Sequence, residues 1–92
     1  FKTEVLDAKG TVVIDFWAAW CGPCMMLSPL VDEFAENHPE IKVCKLNVDD
    51  NQELAMEYKI MSIPTLLVFK DGEYYTRSIG AISKADMEEL IV

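Results

Sequence analysis

The run Thr11-Val12-Val13-Ile14-Asp15-Phe16-Trp17-Ala18-Ala19-Trp20-Cys21-Gly22-Pro23-Cys24 decides the fold. Its first half is β-branched and aromatic, which predicts a strand over Thr11–Ala18. The nearly unbroken apolarity from Val12 to Trp17 predicts burial on both faces. Its second half opens a helix over Cys21–Glu36, because Leu27, Leu30, Val31 and Phe34 recur at helical spacing. Asn37-His38-Pro39 stops that helix, and Pro29 inside it predicts a kink near Met25. Two cysteines therefore stand where a buried strand gives way to a helix.

Working outward, Phe1–Ala8 is compatible with a short helix ending at Lys9-Gly10. Ile41–Val48 reads as a second strand and Asp49–Tyr58 as a second long helix. Asp49, Asp50 and Glu53 favour that helix's start through capping and the macrodipole. Ile60–Pro64 is a loop, Thr65–Lys70 a strand, Asp71-Gly72 a hairpin turn and Tyr74–Ile79 its partner. Ser83–Val92 closes the chain as a helix, with Ser83 as N-cap and Asp86 at N3. Strand, helix, strand implies a parallel pair with a right-handed crossover. The hairpin adds antiparallel strands. The fold class is therefore α/β, with a mixed central sheet and helices on its faces.

Composition narrows the function. The 92 residues suggest one domain, 1–92, with a modest core. Hydrophobic residues make up 51% and charged residues 26%, ordinary for a globular protein. A nucleic-acid binder needs a basic face, whereas the net charge is −8 with only eight Lys and Arg. No run approaches the roughly 18 apolar residues of a membrane span. The scattered acids read as a solvated surface, with a docking field for basic partners as the alternative.

The three cysteines do not read as a staple framework, which favours an even number spread along the chain. Cys21 sits at a helix N-terminus, where free N–H groups and the dipole stabilise a thiolate and lower the thiol pKa. It is the expected nucleophile and is expected to be partly exposed. Cys24 shares a helix face with Leu27, Ser28 and Val31 and is expected to be buried, a resolving thiol. Gly22 allows a tight backbone turn, and Pro23 suits a first helical turn. A structural disulfide is one alternative, though it closes too small a loop to stabilise much. A zinc site from Cys21, Cys24, Cys44 and His38 is another, though no second CxxC or CxxH is present. Cys44 reads as a core thiol, with regulatory oxidation as the alternative, and His38 as an exposed loop residue.

The segment Trp17-Ala18-Ala19-Trp20-Cys21-Gly22-Pro23-Cys24, preceded by Val13-Ile14-Asp15-Phe16, resembles the active-site segment of the thioredoxin family. Ser28-Pro29-Leu30 resembles the family's kinked-helix proline, and Lys45-Leu46-Asn47-Val48-Asp49 its third strand and following turn. Ile63-Pro64-Thr65-Leu66 resembles its cis-proline loop, Phe69-Lys70-Asp71-Gly72 its hairpin, and Ile79-Gly80-Ala81 its last strand end. The resemblance implies a three-layer α/β/α thioredoxin fold, with the family's first strand missing from this chain. Met25 stands where many members carry Lys, which weakens the basic charge near Cys21.

The resemblance also assigns roles. Asp15 would sit behind Cys24 and shuttle its proton, with Lys45 as electrostatic partner. A cis Pro64 would face Cys21, and the Ile63 backbone would pair with an extended substrate. Trp20, Pro64 and Gly80 would form an apolar contact surface, while Trp17 reads as core packing. The implied activity is protein disulfide reduction, with Gly-Pro between the cysteines favouring a reductant over an oxidase or isomerase. A thioredoxin-like binding module is the remaining alternative. No GxGxxG motif is present, so electrons are expected from another protein; the resemblance implies NADPH as their source, through a flavin-dependent thioredoxin reductase. No bound cofactor or metal is expected. The resemblance implies a cytoplasmic monomer acting on disulfide-containing proteins, with no nucleic-acid or membrane partner.

Overall fold

The computed structural model describes residues 5–92. Its elements are β1 (Thr11–Trp17), α1 (Gly22–Asn37), β2 (Lys42–Asn47), α2 (Gln52–Glu57), β3 (Thr65–Lys70), β4 (Glu73–Ile79) and α3 (Lys84–Leu90). The four strands form one sheet in the order β2-β1-β3-β4. β1 pairs parallel with β2 and antiparallel with β3, and β3 pairs antiparallel with β4. The mixed sheet expected from the sequence is the one observed. No helix among the described residues is long and apolar enough to cross a membrane.

β1 lies inside the sheet and is buried on both faces, as its apolar run predicts. Side-chain alternation along a strand sorts it into two cores. Val13 joins Leu27, Val31 and Phe34 of α1, Leu66 and Val68 of β3 and Met87 of α3. Val12, Ile14 and Phe16 join Val5, Leu67 and Phe69 on the opposite face, beneath Tyr58 and Ile60. α1 and α3 thus cover one face, and the chain around the C-terminal end of α2 covers the other. Fully burying one such large apolar side chain contributes about 1.5–3 kcal/mol, so these two clusters anchor the fold. Asp15 is the buried charged residue of this strand, and the alternation turns it toward α1.

The hairpin follows its turn chemistry. Asp71 and Gly72 both have positive φ, 52° and 83°, as a two-residue turn between twisted strands requires. The backbone of Leu6 also lies where a Cβ on Gly72 would project. The N-terminal boundary of α3 holds as well, since the Asp86 N–H donates to Ser83 Oγ at 3.1 Å, while the helix ends at Leu90, short of the expected Val92.

Three expectations change. The first-helix expectation falls partly on residues 1–4, outside the described residues, and the remainder is a single turn closed by Ala8 N–H to Val5 O at 3.2 Å. α2 starts at Gln52 rather than Asp49, because Asn47 captures the chain first. Its side-chain oxygen accepts from Asp49 N–H at 2.8 Å, and its carbonyl accepts from Asp50 N–H at 3.1 Å. Such Asx turns compete with helix initiation.

His38 is the third. It is not an exposed loop residue but the C-cap of α1, donating its N–H to Phe34 O at 3.0 Å. Its ring lies 4.5 Å from that of Phe34. Nε2 stands 2.6 Å from Glu88 Oε2 of α3, and Nδ1 stands 3.3 Å from Glu40 Oε2. The bond to Glu88 raises the imidazole pKa above 6.5; burial opposes it, and the bond to Glu40 adds to it. A group whose folded pKa is raised contributes stability fully below its unfolded pKa and loses it as pH rises through the folded value. Thermal melts should therefore show the parent's advantage over His38→Gln shrinking as pH rises above 6.5. A difference independent of pH would rule out this ionic tie between α1 and α3.

Candidate functional site

The cysteine pair is built on the junction between β1 and α1. β1 ends at Trp17, and Cys21 N–H donates to Ala18 O at 3.2 Å, closing the turn that feeds the helix. Cys21 is the N-cap of α1, with extended backbone angles (φ −95°, ψ 108°). Its sulfur accepts from the Cys24 N–H at 3.2 Å. The capping acceptor is usually a Ser, Asp or Asn oxygen; here it is a sulfur. Cys21 and Cys24 are joined as a disulfide across a Cα separation of 5.2 Å, so the structure is that of the oxidised form.

Both sulfurs sit in a small apolar cluster. Ala18, Cys21 and Cys24 pack with Trp17, Val48 and Ile63. Cys24 is 1% exposed, as expected for the inner thiol, but Cys21 is 5% exposed, more buried than the partly exposed position expected. The surrounding Trp17, Val48 and Ile63 side chains enclose it in the bonded state. Gly22 also differs from expectation. It is absent from the positive-φ glycines, and nothing lies within 4 Å of where a Cβ would stand. Its lack of a side chain leaves space open beside Cys21; the turn does not demand it. Pro23 stands in the first turn of α1, where its missing N–H is not needed.

A loop from elsewhere in the chain approaches Cys21. The Ile63–Pro64 peptide bond is cis, and Ile63 O lies 3.8 Å from Cys21 Sγ. Gly80 N–H donates to Pro64 O at 2.8 Å, which ties the end of β4 to this loop. Gly80 has φ 92°, a conformation L side chains rarely adopt. Trp20 stands out from the surface at 70% exposure, with its indole N–H donating to Asp49 Oδ2 at 3.0 Å. A cleft of about 150 Å³ lies between Trp20, Val48, Ile60, Met61 and Ile63.

Asp15 lies beneath α1. Its Oδ1 is buried without a hydrogen-bond partner. Burial pushes its pKa up from 3.8 to about 6, with Lys45 pulling it down and Asp32 pushing it further up. Lys45 stands opposite Asp15 in the parallel register of β1 and β2. Its ammonium is nevertheless ion-paired elsewhere, 2.7 Å from Asp32 Oδ1 and 2.7 Å from Ser28 Oγ, both on α1. Lys45 therefore acts on Asp15 through space, and the direct partner is Asp32. The long lysine stem reaches past the buried carboxyl to the wetter side of the helix, where an ammonium keeps more of its hydration.

The structure thus brings together Cys21, Cys24, Gly22, Pro23, Trp20, Ile63, Pro64 and Gly80 at one end of the sheet. Asp15 and Lys45 lie in the layer beneath α1. The four candidate zinc ligands do not converge. Cys21 and Cys24 are bonded to each other, Cys44 packs beside the core on the far face of the sheet, and His38 is held by Glu40 and Glu88. Sequence reasoning passed over Ser28 and Asp32 as polar partners, and Asp49 as the anchor of Trp20. The spacing 24, 28, 32 along α1 was the available signal, since positions four apart share a helix face.

Comparison with known proteins agrees with this geometry. The family profile described as Thioredoxin matches residues 1–92. Thioredoxin of Pseudomonas aeruginosa is 47% identical over 88 residues, covering 95% of this chain and 82% of that protein. Thioredoxin of Porphyra purpurea is 51% identical over 92 residues, covering 99% of this chain and 86% of that one. A mutant thioredoxin from Halobacterium salinarum superposes with a TM-score of 0.89 at 40% identity, covering 96% of this chain and 77% of that one. A family match along the whole length, close relatives of one name and a bonded Cys21–Cys24 pair at the head of α1 lead to one conclusion: the chain belongs to the thioredoxin family of protein-disulfide oxidoreductases, which work by dithiol–disulfide exchange.

Proposed function

We propose that residues 1–92 act as one domain that reduces disulfides in other proteins, with Cys21 as nucleophile and Cys24 as resolving thiol. The observation that carries this assignment is the Cys24 N–H donating to Cys21 Sγ at the N-terminus of α1. Helix N-termini stabilise negative charge, so the Cys21 thiolate is the favoured anion of the reduced pair. That thiolate attacks one sulfur of a substrate disulfide and expels the other as a thiolate. Cys24 then loses its proton, attacks Cys21 Sγ and releases the second substrate sulfur. The chain leaves with the Cys21–Cys24 bond, two electrons poorer.

Asp15 is the proton acceptor for Cys24 in this scheme. A carboxyl with a pKa near 6 is mostly ionised at neutral pH yet basic enough to take a thiol proton. Trp20, Gly22, Pro23, Ile63, Pro64 and Gly80 form the substrate surface. An extended segment lies along the Ile63 backbone, in the manner of strand addition. Lys45 supports the site electrostatically. Electrons return from NADPH through a flavin-dependent thioredoxin reductase, and the chain works as a cytoplasmic monomer without a bound cofactor. The Gly-Pro dipeptide supports the reductant reading over an oxidase.

Reduction of a model protein disulfide by dithiothreitol tests the assignment. The parent should accelerate it strongly, and Cys21→Ser should abolish the acceleration. Cys24→Ser should instead stall as a mixed disulfide through Cys21, visible as a mass adduct. An adduct on Cys24 in the Cys21→Ser variant, with activity retained, would reverse the roles.

Asp15 supplies a second test. Its folded pKa of about 6 exceeds 3.8, so the stability it contributes is fully present below about pH 4 and is lost as pH rises past 6. The parent and Asp15→Asn should be of similar stability at pH 4. At pH 8 the variant should be more stable, by about 2–3 kcal/mol at roughly 1.4 kcal/mol per pKa unit. Denaturant titrations at the two pH values measure this directly. Equal stability at pH 8 would show that the buried carboxylate carries no desolvation cost.

A further inference from the structure

The Lys45 ammonium has three oxygen-bearing neighbours to choose among, and its choice has consequences. In the sheet it stands opposite Asp15, whose Oδ1 is buried and has no hydrogen-bond partner. A cation within reach of a buried carboxylate closes on it only where the Coulombic gain exceeds the desolvation cost of the pair. Here it is held instead by Asp32 Oδ1 and Ser28 Oγ, each at 2.7 Å. Ser28 lies one helical turn beyond Cys24, and Asp32 one turn beyond Ser28. The clamp therefore lies along the same side of α1 as the resolving cysteine.

We propose that Asp32 and Ser28 are positioning residues, which hold the Lys45 ammonium on α1 and off Asp15 and thereby keep Asp15 a competent proton acceptor for Cys24. The inference rests on the role given to Asp15 above. In the step concerned, the Cys24 S–H bond breaks and its proton goes to the Asp15 carboxylate. The Cys24 electron pair forms the bond to Cys21 Sγ, and the substrate sulfur leaves with the pair of the broken S–S bond. A carboxylate closed into a direct ion pair is a weak base, because the ammonium stabilises the charged form. Moving that ammonium away leaves the carboxylate poorly solvated and more basic.

The charged groups facing Asp15 are few. β2 supplies Lys45, which lowers its pKa, and α1 supplies Asp32, which raises it. α1 also places Cys24 on that side, and β3 contributes apolar Leu66 in register with Asp15. Asp32 acts in one direction by two routes. Its own charge repels the Asp15 carboxylate, and its ion pair withholds Lys45. Ser28 is uncharged, so any effect it has on Asp15 must pass through the placement of Lys45.

The test is the titration of the Asp15 carboxyl carbon, followed by NMR in the oxidised protein, in the parent and in S28A, D32N, K45M and D32N/K45M. D32N should lower the midpoint by roughly one pH unit, and S28A should lower it by less. Asp32→Glu should restore the parent midpoint. In the K45M background, D32N should have less than half the effect it has in the parent. No shift in S28A, or an equal effect of D32N with and without Lys45, would overturn the clamp. The pH profile of mixed-disulfide resolution, measured in single turnovers, separates this inference from the reading beneath it. If the carboxyl midpoint moves and the resolution profile does not follow, the clamp stands and Asp15 is not the proton acceptor.

Discussion

Placing a sulfur atom where a helix begins constrains everything around it. A helix start leaves N–H groups unsatisfied, and Cys21 Sγ meets one of them by accepting from Cys24. The cap can form only if α1 starts immediately after the strand that anchors it. β1 is therefore buried on both faces and joined to two neighbours, while Leu27, Val31 and Phe34 seat α1 on the sheet. The same placement makes Cys21 and Cys24 first and fourth in one turn, close enough to bond at a Cα separation of 5.2 Å. The two cores thus serve a local end, which is to hold one helix terminus still.

The cost of this arrangement appears at Asp15. An apolar neighbour at that strand position would join Val13 in the α1-side core, and burying a carboxyl there is unfavourable. The raised pKa is the measure of that cost. Lys45 offsets part of it from a distance, and Asp32 adds to it. Stability and reactivity thus pull against each other at this residue. The unfavourable environment that weakens the fold at neutral pH is what gives the carboxylate its basicity.

Much of this was readable beforehand, and the reasons differ by element. β1 and α1 announced themselves through an apolar run and a helical period, because both are long and packed on the sheet. The hairpin was legible because Asp71-Gly72 is a turn that needs positive φ at both residues. The cis bond before Pro64 was legible only through family resemblance, since nothing in a lone Ile-Pro distinguishes the isomers. α2 was over-extended because Asp49 and Asp50 look like helix-start residues. Asn47 ends strand β2 and wins their N–H groups, and Asp49 turns to the Trp20 indole instead. His38 looked like loop because it precedes a proline, but its partner Glu88 lies fifty positions away. A pairing at that separation leaves no local signature.

The direct ion-pair partner of Lys45 was not legible for a related reason, although its electrostatic pull on Asp15 was. Strand register puts it beside Asp15, and register is what a sequence pattern can suggest. Where the ammonium goes is settled at the end of a flexible stem, by a competition between a buried carboxylate and a hydrated one. Asp32, partly open to water on α1, pairs at a lower desolvation cost than Asp15 would. The same competition explains why Ser28 belongs in the description of the site. Its hydroxyl gives the ammonium a second oxygen on the same helix, so the cation is satisfied without turning inward. In the proposed scheme the chemistry of the resolving sulfur then answers to a surface ion pair as well as to the cysteines themselves. That pair is effective because it is anchored, through α1, to the same helix whose first turn carries the disulfide.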